Sequence, residues 1–197
     1  MPILKPEDYD ITYFDGKIVG KQHPAGYSYY KRSYETIKGI EVDSWEPIAK
    51  KYIDRFQLKD KKVLELGCAK GFILEHFRKN GVDAYGIDIS KYAVGNADSY
   101  IKEYIKLGDV RDILLLYLDN FFDYVCSFQF IHCFPDDEIK NLIKEMNRIS
   151  LSQFHVFDEE TNCDFYIRRP MEEWISYDWK KEVILIDQKT GKETQKT

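Results

Sequence analysis

The chain has 197 residues, a length that suits one domain with an extension. Its 29 basic and 34 acidic side chains give a net charge of −5, which disfavours a dedicated nucleic-acid-binding protein. No apolar run is long enough to span a bilayer, and no charged leader precedes an apolar stretch, so we expect a cytoplasmic protein without a membrane partner. The four cysteines lack a C-x-x-C spacing, which predicts reduced thiols rather than disulfides or a metal site.

Residues 1–43 are rich in aromatic side chains and are broken by glycine and proline. No period of 2 or 3.6 residues holds across most of this segment, so we predict a loop-rich N-terminal extension. A helix is predicted to follow, with Asp43 and Ser44 as candidate caps and Pro47 in its first turn.

From residue 62 onward, strand patterns alternate with helix patterns. We predict strands at 62–66, 83–89, 104–107, 122–128, 153–157 and 183–186, and helices at 72–79, after Ser90, after Pro135 and at 171–175. Repeated βαβ units predict an α/β fold with a Rossmann-like, doubly wound and mostly parallel sheet. We place the domain at residues 44–187 and a polar tail at 188–197, so that a final antiparallel strand would be abbreviated or absent.

The most informative stretch lies at the end of the first of these strands. The apolar run that contains Glu65 enters a turn at residues 67–71, which reads Gly-Cys-Ala-Lys-Gly, and this turn leads directly into a helix. Such a turn presents backbone N–H groups and a helix N-terminus to a ligand. An NAD fingerprint would need a third glycine. The order acidic-x-Gly-x-small-x-Gly resembles motif I of the class I S-adenosylmethionine-dependent methyltransferases, with Ala69 where that family most often has glycine.

The resemblance implies S-adenosylmethionine as the cofactor, S-adenosylhomocysteine as the product, and a set of cofactor-binding residues. These are Glu65, Gly67, Cys68, Ala69, Gly71, Asp88, Ile89, Asp109, Val110, Ser127 and Gln129. Glu65 would bind the ammonium group of the cofactor, and Asp88 its ribose hydroxyls. Ile89 would lie along the adenine, whose amino group would donate to Asp109. We expect a negative φ at Ala69, and we expect a side chain at Gly71 to obstruct the ligand rather than the fold.

The segment at the end of the fourth strand would meet the methyl group and the acceptor. It lacks the Asp/Asn-Pro-Pro-aromatic motif of base-amine methylation, the Pro-Cys pair of pyrimidine methylation and the carboxylate set that holds magnesium. What remains resembles enzymes that methylate oxygen or nitrogen of small molecules. In that group His132 matches a histidine that could take a proton from the acceptor. The alternative, that His132 only packs at the turn, stays open.

The aromatic N-terminal segment is similar to segments that close over the cofactor in this group of enzymes. We therefore assign Tyr27 and Tyr30 to a lid or an acceptor pocket. Packing at the sheet edge is the alternative role for these aromatic residues.

Two further functional hypotheses accompany the small-molecule methyltransferase. The first is a methyltransferase-like protein that binds cofactor, or nothing, and serves as a partner or activator subunit. The second is methylation of RNA or protein, which would predict a basic surface beside the pocket.

Overall fold

A seven-stranded sheet forms the centre of the structure, a computed structural model that describes residues 5–15, 32–37, 40–157, 169–179 and 182–196. In chain order the strands are β1 (Tyr34–Ile37), β2 (Ile40–Asp43), β3 (Lys62–Leu66), β4 (Asp83–Asp88), β5 (Ile105–Leu107), β6 (Phe122–Phe128), β7 (Ser150–Phe157), β8 (Glu182–Asp187) and β9 (Glu193–Lys196). The helices are α1 (Ile11–Asp15), α2 (Glu46–Phe56), α3 (Phe72–Lys79), α4 (Lys91–Gly95), α5 (Val110–Ile113), α6 (Asp136–Ile149) and α7 (Met171–Ser176). Within these ranges, no helix has the length and apolar character needed to cross a membrane.

The order of the strands defines where a ligand can bind. The sheet runs β5-β4-β3-β6-β7-β8-β9, and its pairs are parallel except for β8 with β9. The chain passes from β3 outward to β4 and β5, then crosses back to β6 on the other side of β3. This reversal is the topological switch point, beyond whose carboxyl edge doubly wound sheets bind ligands. The predicted Rossmann-like, doubly wound and mostly parallel sheet is confirmed.

The two faces of the sheet carry separate apolar cores because successive strand residues point to opposite sides. On β3, Val63 packs with residues of α2 and α3, whereas Leu64 and Leu66 pack with residues of α5, α6 and α7. The alternation places Glu65 on the same face as Val63. An acidic side chain is thus directed toward the core side of α2 and α3, next to the carboxyl end of its strand.

Several predicted elements are confirmed, and others differ in extent. The strands at 62–66 and 122–128 and the helix at 72–79 have the predicted bounds. The prediction missed the hairpin of β1 and β2 and the short helix α1, because these elements are too brief to show a period. The polar tail contains β9, so the final antiparallel strand is present with four residues.

A cluster of buried charges attaches the hairpin to α3. The guanidinium of Arg32 donates to both carboxylate oxygens of Glu75, at 2.9 and 3.0 Å, and its Nε donates to Asp43 Oδ2 at 2.5 Å. His76 Nε2 lies 2.9 Å from the same Asp43 oxygen, and Lys79 Nζ lies 2.5 Å from Glu75 Oε1. Burial alone would raise the pKa of Glu75, but the hydrogen bonds from Arg32 and Lys79 lower it. The carboxylates therefore stay ionised and hold the hairpin against the helix.

Candidate active site at the carboxyl edge of the sheet

The turn after β3 contains three residues with positive φ. Gly67 and Gly71 have φ values of +70° and +74°, and Ala69 has +52°. The expectation of a negative φ at Ala69 is therefore wrong. Left-handed backbone costs a residue with a Cβ about 1–2 kcal/mol. The methyl group of Ala69 is buried with Phe14 and Ala93, and this burial offsets part of that strain.

The backbone of the turn is fixed to the neighbouring strand. The amides of Gly67 and Cys68 both donate to the carbonyl oxygen of Ile87, at 2.9 and 3.1 Å. The side chain of Cys68 packs against Gly86, where an added Cβ would lie 2.5 Å from the sulfur. Burial raises the pKa of the Cys68 thiol. Cys68 therefore contributes its backbone to the turn, and its thiol is a neutral core group.

Asp88, at the end of β4, connects the turn to the next helix. Its Oδ2 accepts the backbone N–H of Ala69 at 2.7 Å, and its Oδ1 accepts that of Ser90 at 2.8 Å. Burial raises the pKa of Asp88 to about 6, although these hydrogen bonds oppose the shift. Each carboxylate oxygen has a second acceptor site, so Asp88 can also accept hydrogen bonds from two neighbouring hydroxyl groups. Ile89, the next residue, is half-buried.

Glu65 lies beside this carboxylate and is only 4% exposed. The backbone of Leu74 gives it one hydrogen bond, but its Oε2 has no hydrogen-bond partner among the described residues. Burial, reinforced by the charge of Asp88, raises the pKa of Glu65 to about 8. A ligand ammonium group would supply both the missing donor and the missing positive charge.

Asp109 forms the third carboxylate at the edge of the sheet. It caps α5, where its Oδ1 accepts the backbone N–H of Arg111 at 2.9 Å. The Arg111 Nε bonds both oxygens of Asp109, at 2.9 and 3.0 Å, while its Nη1 bonds Glu138 at 2.6 Å. Burial would raise the pKa of Asp109, but the hydrogen bonds from Arg111 lower it. The carboxylate is thus ionised and oriented. Val110 directs its side chain into the core.

Two candidates from the end of β6 are held by other residues of the protein. The hydroxyl of Ser127 is buried and lies 2.9 Å from Nδ1 of His155. Gln129, with φ of +53°, donates its backbone N–H to the carbonyl of Val156 at 2.7 Å and bonds Gln188 through its side-chain amide. Neither side chain has a contact with Glu65 or Asp88 among the hydrogen bonds of the described residues.

His132 lies in a 3₁₀ turn that follows β6, at residues Ile131–Cys133. Its imidazole is buried, and burial together with the nearby charge of Arg169 lowers the pKa of His132 to about 3. The imidazole is therefore neutral at pH 7. A pH-rate limb due to its titration would fall near pH 3 rather than at pH 6–7.

The N-terminal segment reaches the same edge of the sheet. The hydroxyl of Ser90 donates to the carbonyl oxygen of Tyr9 at 2.5 Å, and Phe14 packs with Ala69 of the turn at residues 67–71. In the sequence, the only indication that the N-terminal segment contacts this edge was its high content of aromatic residues. Tyr27 and Tyr30, the predicted lid residues, lie outside the described residues.

Phe130 also contacts the turn, and the sequence analysis did not predict this contact. Its ring lies over Gly67, where an added Cβ would be 2.3 Å from Cδ2 of the ring. At Gly71 an added Cβ would lie 2.4 Å from Cδ1 of Ile101 and 3.0 Å from that of Ile105. A side chain at Gly71 therefore clashes with the core, and the expectation that it would obstruct only the ligand needs correction.

Comparisons with known proteins agree with this geometry. Residues 64–152 match a family described as a methyltransferase domain. A search of curated protein sequences finds no significant match. Among solved structures, the PH0226 protein of Pyrococcus horikoshii OT3 aligns with a TM-score of 0.52 and 20% identity, over 92% of this chain and 62% of that one.

Two other solved structures align less closely. The YcgJ protein of Bacillus subtilis has a TM-score of 0.46 and 17% identity, over 71% of this chain and 49% of its own. A SAM-dependent methyltransferase of Archaeoglobus fulgidus has a TM-score of 0.44 and 19% identity, over 52% and 46% of the two chains. The chain thus spans about half to three fifths of the length of the structures that it matches.

The match to a methyltransferase domain over residues 64–152 agrees with the observed order of the strands, and the fold is shared with the PH0226 protein. S-adenosylmethionine is the cofactor that this similarity implies. The residues present fit this molecule, because Glu65 Oε2 lacks the donor that an ammonium group provides and Asp88 retains acceptor sites suited to a ribose.

Substitution of the glycine at the start of α3 tests its structural role. Gly71→Ala combines a left-handed φ with a 2.4 Å clash, so it should lower the free energy of unfolding by about 2–4 kcal/mol. Gly95→Ala in α4 is the matched control, since its Cβ meets nothing within 4 Å and should raise stability by about 0.5–1 kcal/mol. Chemical denaturation measures both values. A Gly71→Ala protein with wild-type stability and no cofactor binding would restore the ligand role.

The buried carboxyl group of Glu65 predicts an unusual pH dependence. Its pKa rises from 4.5 to about 8 on folding, so the folded state binds the proton more tightly than the unfolded state. The stability of the cofactor-free protein should therefore fall as the pH rises from about 4.5 through about 8. Glu65→Gln should reduce this slope and raise the melting temperature at pH 8 by about 2–4 °C, the equivalent of about 1 kcal/mol.

Calorimetry at pH 5.5 and at pH 8 measures the effect of Glu65→Gln. Glu103→Gln, at an exposed position, is the control and should leave the slope unchanged. Equal slopes in wild type and Glu65→Gln would show that the carboxyl is already ionised in the cofactor-free protein.

Proposed function

We propose that the protein transfers a methyl group from S-adenosylmethionine to an oxygen or nitrogen atom of a small-molecule acceptor. The observation that carries this proposal is the desolvated Glu65 carboxylate beside Asp88 at the switch point. A subunit that serves only as a partner or activator could replace Glu65 by an uncharged residue and gain stability. The carboxylate therefore supports cofactor binding over a partner subunit that binds no cofactor.

Each carboxylate at the sheet edge has one role in holding the cofactor. Glu65 accepts hydrogen bonds from the ammonium group, Asp88 accepts them from the ribose hydroxyls, and Asp109 accepts one from the adenine amino group. When bound, S-adenosylmethionine supplies an electrophilic methyl group on a sulfonium and leaves as S-adenosylhomocysteine. The backbone of residues 67–71 lies between these carboxylates and fixes the position of the cofactor.

His132 acts at the acceptor end of the site. Since its pKa is about 3, the neutral imidazole is a weak base toward a hydroxyl or an ammonium group. Its contribution is then to orient the acceptor by hydrogen bonding. In-line placement of the nucleophile against an activated methyl donor can supply most of the rate acceleration without a strong base.

The N-terminal segment completes the site. Phe14 packs on Ala69 of the cofactor turn, and Arg32 bonds Glu75 one turn into α3. These two contacts hold Phe14 and Arg32 of the N-terminal segment next to the proposed cofactor site. We retain the proposal that Tyr27 and Tyr30, between these two anchors in the sequence, exclude water from the acceptor pocket.

The alternative of RNA as the acceptor lacks support from the surface charges. Three of the basic residues of α2 and its following loop are paired with acidic residues: Lys50 with Glu46, Arg55 with Glu193 and Lys61 with Asp123. These ion pairs reduce the positive charge that this part of the described surface offers to a phosphate backbone.

Binding of S-adenosylhomocysteine tests the cofactor assignment. Asp88→Ala should weaken binding about 10- to 150-fold, because the ribose hydroxyls lose a charged acceptor worth about 1.5–3 kcal/mol. Asp54→Ala, at an exposed position of α2, is the matched control and should bind as wild type does. Titration calorimetry measures all three proteins. Equal affinity of wild type and Asp88→Ala would contradict the ribose role.

Turnover tests the reaction itself. A metabolite extract incubated with wild type and isotopically labelled methyl donor should yield a labelled small molecule, and Asp88→Ala should yield far less of it. Tight binding of S-adenosylhomocysteine with no labelled small molecule would favour the partner or activator subunit.

A further inference from the structure

Arg169 stands out among the described residues outside the cofactor site. Its side chain is 1% exposed, and its guanidinium is held along one edge. Nε and Nη2 bond Asp136 Oδ1 at 3.0 and 2.5 Å, and Nη2 also bonds the carbonyl oxygen of Phe134 at 2.9 Å. Nε lies 3.2 Å from Glu173 Oε1. The other terminal nitrogen, Nη1, is buried and has no hydrogen-bond partner among the described residues.

A buried guanidinium with an unsatisfied nitrogen is costly. Arginine keeps its charge in proteins, so Arg169 cannot relieve the penalty by losing a proton. A buried donor without a partner costs about 1–3 kcal/mol, and more for a charged group. The contacts of Nε and Nη2 keep the group from turning toward water. Such an arrangement suits a guanidinium whose missing hydrogen-bond acceptor is supplied by a bound ligand.

Arg169 lies at the edge of the sheet where the methyl acceptor would bind. Asp136 begins α6 and Met171 begins α7, and the helices that follow β6 and β7 start at the carboxyl edge of the sheet. The charge of Arg169 is close enough to His132 to lower the pKa of that residue. The guanidinium carbon of Arg169 lies 5.2 Å from the centre of the Trp174 ring.

We propose that Arg169 Nη1 binds a carboxylate of the methyl acceptor, so that the substrate of this enzyme is a small carboxylic acid. The proposal rests on the proposed function and specifies its substrate class. The two carboxylates already beside Arg169 are screened by water, since the side chains of Asp136 and Glu173 are 65% and 42% exposed. Nη1 is desolvated, and a charge-assisted hydrogen bond to an oxyanion is strongest there.

A direct binding experiment compares a carboxylate with its uncharged isostere. The complex of wild type with S-adenosylhomocysteine is titrated with acetate and with acetamide, and the ¹⁵N side-chain resonances of arginine are followed. Acetate should shift the Arg169 resonance and bind at least about tenfold more tightly than acetamide, because only the carboxylate brings a charge to Nη1. No preference for acetate in wild type would overturn the proposal, and this comparison needs no variant.

Arg169→Lys keeps the charge but removes Nη1, and it assigns the resonance. It should abolish the preference for acetate while its affinity for S-adenosylhomocysteine stays within about twofold of wild type. Glu173→Gln is the control, since it changes a neighbour of Nε and leaves Nη1 in place. Retention of the acetate preference in Arg169→Lys would overturn the assignment to this residue.

A turnover experiment distinguishes failure of the carboxylic-acid proposal from failure of the proposed methyltransferase function. A metabolite extract is divided by anion exchange into acidic and non-acidic fractions, and each is incubated with labelled methyl donor. Label in the acidic fraction is the expected result. Label only in non-acidic compounds would overturn the role of Arg169 and leave the methyltransferase function standing. Label in neither fraction, with S-adenosylhomocysteine bound, would overturn methyl transfer to a small molecule and the acceptor class with it.

Discussion

A carboxylate buried in the middle of the sheet is the constraint on which the rest of the site depends. Glu65 is placed there by the alternation of β3, and its side chain is only 4% exposed. In the absence of a cation, burial and the charge of Asp88 keep the pKa of Glu65 near 8. In the proposed function, the ammonium group of S-adenosylmethionine would remove this penalty, so that the binding energy of the cofactor and the instability of the cofactor-free site would have one physical origin.

The turn that faces Glu65 is rigid because it is held from several sides. Asp88 accepts a hydrogen bond from Ala69, and the same alanine supports Phe14 of the N-terminal segment. Gly71 admits the close approach of Ile101. The left-handed conformation of Ala69 is thus stabilised by contacts on both sides of the cofactor turn. Asp88 and the described part of the N-terminal segment thus contact the same residue of the turn.

The sequence predicted the elements whose pattern is local and regular. The apolar run of β6 and the amphipathic face of α6 can be recognised within a few residues of sequence. The position of each carboxylate at a strand end could be predicted because the strands themselves were recognised in order. β9 escaped prediction because it is short and polar. The φ of Ala69 was predicted with the wrong sign, since the docking of Phe14 is a long-range contact. The burial of His132 beside Arg169 likewise joins segments that are distant in the chain, and no local pattern encodes it.

The protonation state of Glu65 is the most direct test of this account, and carbon NMR of the labelled side-chain carboxyl measures it. We expect a pKa of about 8 for Glu65 in the cofactor-free protein. On addition of S-adenosylmethionine, whose ammonium group favours the ionised carboxylate, the pKa should fall by at least about one unit. A pKa near the ordinary 4.5 in the cofactor-free protein, or a value that does not change on binding, would contradict the central role of this carboxylate.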